Sequence, residues 1–467
     1  MATLQSNRVG RTPPGPVERT GWAPLVVVLA GTFVTYLDFF IVNVALPSIH
    51  ADLHAGPAAL QSVVAGFALT FAVGMISGGR LGDVYGRRRV FGAGLALFTV
   101  TSAACGLAPD ADVLVVSRLL QGLSAALMTP QVLAILGTVY TGARRARAFA
   151  GYGLTMGAAA VLGQLVGGVL IALDIAGSGW RSIFLINVPV GIAALVSLRR
   201  TVPESHGERT SLDLVGTALV TGALTAVVLP LVEGRQLGWP MWTWICFAAA
   251  PVLFASFVTH QWLRARTGRA PLVRLGMFRD RRFAVGTLTG VAFGGVPASL
   301  FFVLALYLQE GRQLSALESG LVFSAVGAGY FTAMLTAGRL AARLGRQLLA
   351  IGALTVGAGC VLLSVVASAP IEAALPGLAV VGVGIGMVLV PLTATALADV
   401  APAQAGAASG VLATALQLGG ALAVAAVGAV YYGALGHGVG GAYGESLLVL
   451  AVVTLLTTGL VQLLPRR

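Results

Sequence analysis

The chain is divided into fourteen apolar segments, each about as long as a helix needs to cross a lipid bilayer. A window of about 20 residues places them at 24–46, 58–78, 90–108, 113–136, 147–172, 180–198, 212–232, 241–263, 283–308, 317–338, 347–367, 372–394, 406–430 and 445–464. The chain has 57% hydrophobic and 10% charged residues. The hydrophobic content is higher and the charged content lower than in soluble domains. We therefore predict an all-α membrane protein with fourteen transmembrane helices.

The basic residues fix the orientation that we expect for these helices. All 29 are arginines, and 25 of them fall in the tails and loops that this topology assigns to one side. The exceptions are Arg118, Arg181, Arg235 and Arg312. Because basic residues concentrate in cytoplasmic loops, we predict a multi-pass cell-membrane protein with both termini in the cytoplasm. The same bias explains the net charge of +12 without a nucleic-acid partner.

Residues that the chain lacks exclude several classes of function. Without lysine it has neither a P-loop lysine nor a pyridoxal Schiff base. Cys105, Cys246 and Cys360 lie in apolar runs, where cysteine behaves as a small hydrophobic residue. The five histidines are scattered and form no metal-binding spacing. We therefore predict no enzymatic activity, no metal and no cofactor, and a proton gradient as the energy source.

A short basic loop occurs twice and divides the chain. The first copy runs from Gly79 to Arg89, and a partial copy runs from Gly338 to Arg346, 259 residues further on. Six helices and their loops need fewer residues than that, so two helices must be inserted between two six-helix halves. The predicted divisions are a cytoplasmic tail at 1–22, an N-terminal half at 23–200, the inserted helices and a linker at 201–282, and a C-terminal half at 283–467.

Two charged residues lie inside predicted helices. Asp38 is the one acid well within the first span, where a carboxylate costs roughly 2.5–3.5 kcal/mol and needs a partner, a proton or water. Arg118 heads a polar stripe on the fourth span. Each lies roughly 8–12 Å from the outer end of its helix at ~1.5 Å per residue, so the two could meet. Protonation of Asp38 would then loosen the pair, whereas a static buried pair is the alternative.

Small residues recur at helical spacing in the fifth span. Gly153, Gly157 and Gly167 share one stripe with Gln164, and Gly163 and Gly168 flank it. The thirteenth span repeats the pattern around Gln417. Small residues at this period let helix backbones approach closely, so we expect these helices where two halves rock against each other.

These motifs resemble those of the fourteen-helix drug:proton antiporters of the major facilitator superfamily, over nearly the whole chain. The first basic loop is similar to the gating motif of that family, formed here by Gly79, Gly82, Asp83, Gly86, Arg87 and Arg88. The resemblance implies that Asp83 locks the two halves together at the cytoplasmic side. It also implies that Arg118 takes part in proton coupling, and as the embedded acid beside it Asp38 is our main candidate for the proton-binding group.

Two positions depart from the family pattern. Gln164 stands where the fifth-helix motif usually has proline, and Ala342 stands where the second loop copy would have an acid. The second half is also poor in embedded acids. Glu233 and Glu310, both at helix ends, are therefore only secondary candidates for proton coupling.

The resemblance implies export of lipophilic or amphipathic small molecules, such as drugs or antibiotics, by alternating access in a monomer. The polar residues expected to line the substrate cavity are Thr35, Gln61, Gln121, Gln131, Gln164, Tyr307 and Gln417. Proton-coupled uptake and export of a lipid or metabolite are alternatives that the same fold supports. A channel is a weaker alternative, because two repeated halves predict alternating access about a midplane site.

Overall fold

A computed structural model describes residues 21–207, 213–234, 237–398 and 405–465. Within these residues, fourteen helical segments are long and apolar enough to cross a membrane, which confirms the predicted number. Apart from Gly21 and Trp22, the predicted N-terminal tail lies outside the described residues, as do Arg209, Arg235, Arg466 and Arg467. The domain divisions stay a prediction.

The first six crossings are formed by seven helices, because a single turn residue, Ile186, separates two helices in the sixth crossing. They are α1 (Ala23–Leu53), α2 (Pro57–Tyr85), α3 (Arg87–Gly106), α4 (Ala111–Val139), α5 (Gly142–Leu173), α6 (Ser182–Leu185) and α7 (Asn187–Thr201). Helices α6 and α7 together span the sixth crossing. Most of these helices are longer than the apolar runs in the sequence, since polar turns at their ends continue the helix.

The remaining eight crossings are formed by single helices. They are α8 (Leu214–Glu233), α9 (Met241–Arg266), α10 (Arg281–Leu306), α11 (Ala316–Leu344), α12 (Arg346–Val365), α13 (Ala374–Ala396), α14 (Ala405–Ala434) and α15 (Val439–Gln462). A π-helical turn, Tyr307–Gly311, extends α10. The linker between α9 and α10 contains one short helix, Leu275–Arg279.

The arginines distinguish the two ends of the bundle. We call the end that carries the α2–α3, α4–α5, α7–α8, α9–α10 and α11–α12 loops the arginine-rich end, and the opposite end the arginine-poor end. Among the described residues, the arginine-poor loops hold Arg181 and Arg312. This distribution matches the predicted sidedness, whose assignment to cytoplasm and exterior stays a prediction.

The packing of the first six crossings is repeated in the last six. Helix α2 packs on α4 and α1 on α5, just as α11 packs on α13 and α10 on α14. The two sets meet where α2 contacts α14 and where α5 contacts α11. Helices α8 and α9 pack on each other, and α8 also contacts α2 and α14. The inserted pair therefore lies beside one of the two seams between the repeated sets.

The repeated sets are joined closely on the arginine-poor side of Asp38. The ring centroids of Phe40 and Phe301 are 5.4 Å apart, and Gln309 Nε2 donates to the Val44 carbonyl at 2.8 Å. Both contacts join α1 to α10 or to the turn that extends it. We call this side, where the two sets are in contact, the closed side of the bundle.

Candidate functional site

An ion pair lies in the interior of the first six crossings. The carboxylate of Asp38 on α1 accepts a hydrogen bond from Nη1 of Arg118 on α4, and both side chains are fully buried. Helix α4 is started by Asp110, whose side chain accepts from the Val113 N–H at 2.8 Å, and Arg118 lies two turns further on. The similar depths of Asp38 and Arg118 in their helices predicted this contact.

Two amides complete the coordination of the Asp38 carboxylate. Oδ1 accepts from Gln121 Nε2 at 3.0 Å and from Asn187 Nδ2 at 2.9 Å. Asn187 also donates to Ser102 Oγ at 3.0 Å. A single carboxylate on α1 thus holds side chains of α4 and α7, and through Asn187 it is linked to α3. Any change in its charge acts on all of these helices.

Arg118 has contacts besides Asp38. Its Nε donates to the Val63 carbonyl at 3.0 Å, and Nη1 donates to Gln121 Oε1 at 2.8 Å. The guanidinium carbon lies 4.3 Å from the Phe67 ring centroid and 5.6 Å from that of Phe184. Nη2 is buried without a hydrogen-bond partner. The cation is therefore enclosed by ring faces, where the loss of its anionic partner would be costly.

Helix α1 connects this ion pair to the second set of helices. Phe40, two residues after Asp38, contacts Phe301, and its carbonyl accepts from Gln164 Nε2 at 2.6 Å. Val44, one turn further on, accepts from Gln309. The same helix therefore carries the buried charge and two of the contacts that close the bundle.

The predicted gating loop forms a compact structure with the segment after α7. Asp83 Oδ1 accepts a hydrogen bond from Arg87 Nη2 at 3.0 Å. Among the described residues, Arg87 is the ion-pair partner recorded for the Asp83 side chain. The Arg88 N–H donates to Glu204 Oε1 at 3.0 Å, and Arg89 Nε lies 3.7 Å from Glu204 Oε2. The lock between the halves that the resemblance assigned to Asp83 stays a prediction.

The glycines of this loop allow close approaches. A Cβ on Gly82 would collide with the Gln131 side chain, and Gln131 Nε2 donates to the Gly78 carbonyl at 2.7 Å. Gly86 has a φ of +102°, which favours glycine, and a Cβ there would lie 2.8 Å from the Glu204 carboxylate. A Cβ on Gly79 would make ordinary contact at 3.5 Å. Gln131, predicted to line the cavity, is thus placed against the gating loop.

Four of the five glycines of the fifth-helix motif face a neighbouring helix, two of them α1 and two of them α11. Gly163 and Gly167 face α1, with the Leu37 carbonyl 3.2 Å from a Cβ built on Gly163. Gly157 and Gly168 face α11 across the seam, and a Cβ on Gly168 would lie 2.5 Å from the Ala316 carbonyl oxygen. A Cβ on Gly153 would have no neighbour within 4 Å. The stripe therefore packs α5 both within its own set and against the other.

The other residues predicted for the substrate cavity lie in separate places. Thr35 donates to the Gly31 carbonyl at 2.9 Å, and Tyr307 donates to the Ala367 carbonyl at 2.5 Å. Gln61 lines a cavity of about 270 Å³ between α2, α8 and α14. Gln61 Oε1, Gln164 Oε1 and Gln417 Nε2 are buried without a partner. Of the predicted cavity residues, Gln121 contacts Asp38 directly.

The two secondary acids lie away from the Asp38 cluster. Glu233 is the last residue of α8, and Glu310 belongs to the turn that extends α10. Both are half-buried at the arginine-poor end. The structure therefore places neither of them in hydrogen-bond contact with Asp38 or Arg118.

Three residues of these clusters were not singled out from the sequence. Ser102 and Asn187 extend the Asp38 network, and Glu204 binds the gating loop. An asparagine within the apolar sixth crossing was a signal that could have identified Asn187. Glu204 gave no local signal, because its partners are more than 100 residues away in the chain.

The fold and this buried ion pair define a membrane transporter built from two repeated sets of six helices. The chain belongs to the major facilitator superfamily, since the family model described as Major Facilitator Superfamily matches residues 28–424. It is a multi-pass protein of the cell membrane.

Curated relatives of this chain are named as antibiotic transport or resistance proteins. The probable actinorhodin transporter of Streptomyces coelicolor is 37% identical over 91% of this chain and 74% of its own. The tetracenomycin C resistance and export protein of Streptomyces glaucescens is 34% identical over 90% and 78%. The puromycin resistance protein of Streptomyces alboniger is 35% identical over 90% and 83%.

Solved structures share the fold at low sequence identity. A D-xylose-proton symporter superposes with a TM-score of 0.66 at 17% identity, over 93% of this chain and 97% of its own. A bacterial homologue of the human lysosomal transporter Spinster, in an inward-facing and unoccupied conformation, gives 0.67 at 16% identity, over 95% and 96%.

Proposed function

We propose that this protein exports lipophilic or amphipathic small molecules in exchange for protons, by alternating access, with both termini in the cytoplasm. The observation that carries the proposal is the buried Asp38–Arg118 pair, a carboxylate inside a membrane helix with an identified partner. The names of the antibiotic exporters among the relatives support the substrate class.

The proton acts on the carboxylate of Asp38. When ionised, Asp38 accepts hydrogen bonds from Arg118, Gln121 and Asn187. A protonated carboxyl loses the charge that pairs with the guanidinium, and one of its oxygens becomes a donor facing other donors. Protonation therefore weakens the attachment of α1 to α4 and α7, and deprotonation restores it.

Movement of α1 acts on the closed side of the bundle. Phe40 and Val44 follow Asp38 on the same helix and contact Phe301 and Gln309 of the second set. A shift of α1 relative to α4 changes these contacts directly. The charge of Asp38 thereby biases the equilibrium between the closed and open states of the arginine-poor side.

Substrate binding would use polar atoms that lack a protein partner. Asn43 Oδ1 and Gln164 Oε1 on α1 and α5, and Gln417 Nε2 on α14, are buried and unpartnered. Amide groups offer both donors and acceptors, and aromatic rings such as Phe40 and Phe301 surround the seam. This chemistry suits an uncharged or weakly basic aromatic compound better than a polyanion.

The driving force is sufficient for export. One proton that moves down a potential of 100 mV supplies about 2.3 kcal/mol. Exchange of one proton for one neutral molecule would sustain a concentration ratio of roughly 50. A pH difference across the membrane would increase this ratio.

Accumulation in inside-out vesicles tests the proposal and its direction. With the lumen acidified, an exporter that exchanges protons concentrates a fluorescent aromatic compound in the lumen and raises luminal pH. A symporter would carry the compound out of the lumen with the protons. We expect accumulation by the wild type and its loss in Asp38→Asn.

A matched acid variant controls for nonspecific effects. Asp112 is exposed near the start of α4, away from the ion pair, so Asp112→Asn should transport as the wild type does. Glu233→Gln and Glu310→Gln test the two secondary acids in the same assay. Gradient-driven accumulation that survives Asp38→Asn at full rate would refute the role proposed for Asp38.

A further inference from the structure

A basic cavity lies at the arginine-rich end, apart from the Asp38 cluster. It has a volume of about 550 Å³ and lies between the end of α9 and the linker that joins α9 to α10. Trp262 on α9 forms part of its wall, and Arg269, Arg274 and Arg279 of the linker form much of the rest. The proposed transport mechanism uses none of these residues.

The three linker arginines of this cavity make no ion pair within the described residues. Arg269, Arg274 and Arg279 are exposed. The two nearby acids, Asp213 and Asp280, form hydrogen bonds with other groups. Asp213 is buried and accepts from its own neighbours, including the Gly216 N–H at 2.9 Å. The Asp280 side chain accepts from the Arg282 N–H at 2.8 Å. The cavity therefore holds positive charge that a bound anion would balance.

The cavity also borders exposed apolar surface. The exposed fractions of Trp262 and Leu263 are 45% and 49%. The Arg266 guanidinium carbon lies 3.6 Å from the centroid of the Trp262 ring. Tryptophan beside arginine at a helix end is typical of the boundary between lipid headgroups and acyl chains. A ligand here would meet positive charge and apolar surface together.

The cavity is linked to the gating loop by a direct contact. Arg80 of α2 donates to the carbonyl of Pro271, a residue that lines the cavity. Burial lowers the pKa of the Arg80 guanidinium, and the nearby Arg274 lowers it further. An anion beside Arg274 would relieve this crowding of positive charge.

We propose that this cavity binds the phosphate group of an anionic phospholipid from the leaflet at the arginine-rich end. A guanidinium group can donate two parallel hydrogen bonds to the oxygens of a phosphate. Basic pockets on the cytoplasmic side of membrane helices bind lipid headgroups. The acyl chains would lie along α9 beside Trp262 and Leu263. The bound lipid would hold the linker against α2 through Pro271 and Arg80.

Native mass spectrometry of delipidated protein tests this assignment, with phosphatidylglycerol as the probe. The test variant is Arg269→Gln/Arg274→Gln/Arg279→Gln. The matched control, Arg144→Gln/Arg145→Gln/Arg147→Gln, removes the same charge from exposed positions at the same end. We expect the wild type and the control to retain one phosphatidylglycerol more than the test variant, which should bind it at least tenfold more weakly.

Measurements on the wild type keep the proposal testable if the variant folds poorly. Phosphatidylglycerol should bind at least tenfold more tightly than phosphatidylcholine with the same acyl chains, and 10 mM inorganic phosphate should not displace it. Equal binding of the two lipids would overturn the proposal. So would equal losses in the two triple variants, which would indicate diffuse surface charge, or displacement by phosphate, which would indicate a soluble ligand.

Discussion

Replacement of Asp38 by asparagine should destabilise the protein by leaving a buried cation without its anion. Asparagine keeps one acceptor oxygen, but its amide nitrogen would face donors that now bind the carboxylate. The two bonds at Oδ1 would be lost, and at the average of about 0.6 kcal/mol for membrane helices they give about 1 kcal/mol. Removal of one partner of a buried ion pair typically lowers the free energy of unfolding by about 3–5 kcal/mol. Because Arg118 is fully buried, we expect a loss of about 3 kcal/mol.

A double-mutant cycle separates the pair from its surroundings. The free energy of unfolding would be measured in mixed micelles of dodecylmaltoside and sodium dodecyl sulfate, by tryptophan fluorescence. The double variant Asp38→Asn/Arg118→Gln removes both charges, so it should cost at least about 2 kcal/mol less than the sum of the single variants. Single losses that add to within about 0.5 kcal/mol would refute the assignment of a coupled pair.

Three further variants test other contacts. Gly168→Leu should separate α5 from α11, because even a Cβ at this position would lie 2.5 Å from the Ala316 carbonyl oxygen. Faster labelling of a cysteine introduced at the seam between these helices would report the separation. Glu204→Gln should lower stability by about 1 kcal/mol, measured by thermal unfolding, since it weakens a partly exposed pair with Arg88. Burial alone would raise the pKa of Asp213, but hydrogen bonds from His260, Gln261 and Gly216 outweigh it and lower that pKa. Gln261 also accepts from the Val273 N–H of the α9–α10 linker at 3.1 Å. Through Gln261 the carboxylate therefore stabilises the linker above its ordinary pKa of about 3.9, and this stabilisation is lost as pH falls through the lowered folded-state pKa. Asp213→Asn should accordingly speed amide exchange in the linker by about tenfold near neutral pH.

The number and approximate positions of the helices could be predicted from the sequence because bilayer thickness sets the length of an apolar helix. Asp38 and Arg118 could be paired because each is an isolated charge at a similar depth in the membrane. A single charged residue is conspicuous against an apolar background, so its position alone predicted its partner.

The partners of those residues could not be predicted in the same way. Asn187 reaches Asp38 only because α7 packs beside α1, and Ser102 joins the network only because α3 packs on α7. Gln131 was expected in the cavity, but its side chain donates to the Gly78 carbonyl of α2. A buried glutamine is equally compatible with a ligand site and with helix packing until its neighbours are known.

Proton release on substrate binding tests the central claim most directly. Purified protein in a weakly buffered detergent solution would be mixed with a panel of lipophilic aromatic compounds while pH is recorded. We predict that compounds bound by the wild type release protons and that Asp38→Asn binds them without release. Compound binding without proton release by the wild type would contradict the proposed exchange at Asp38.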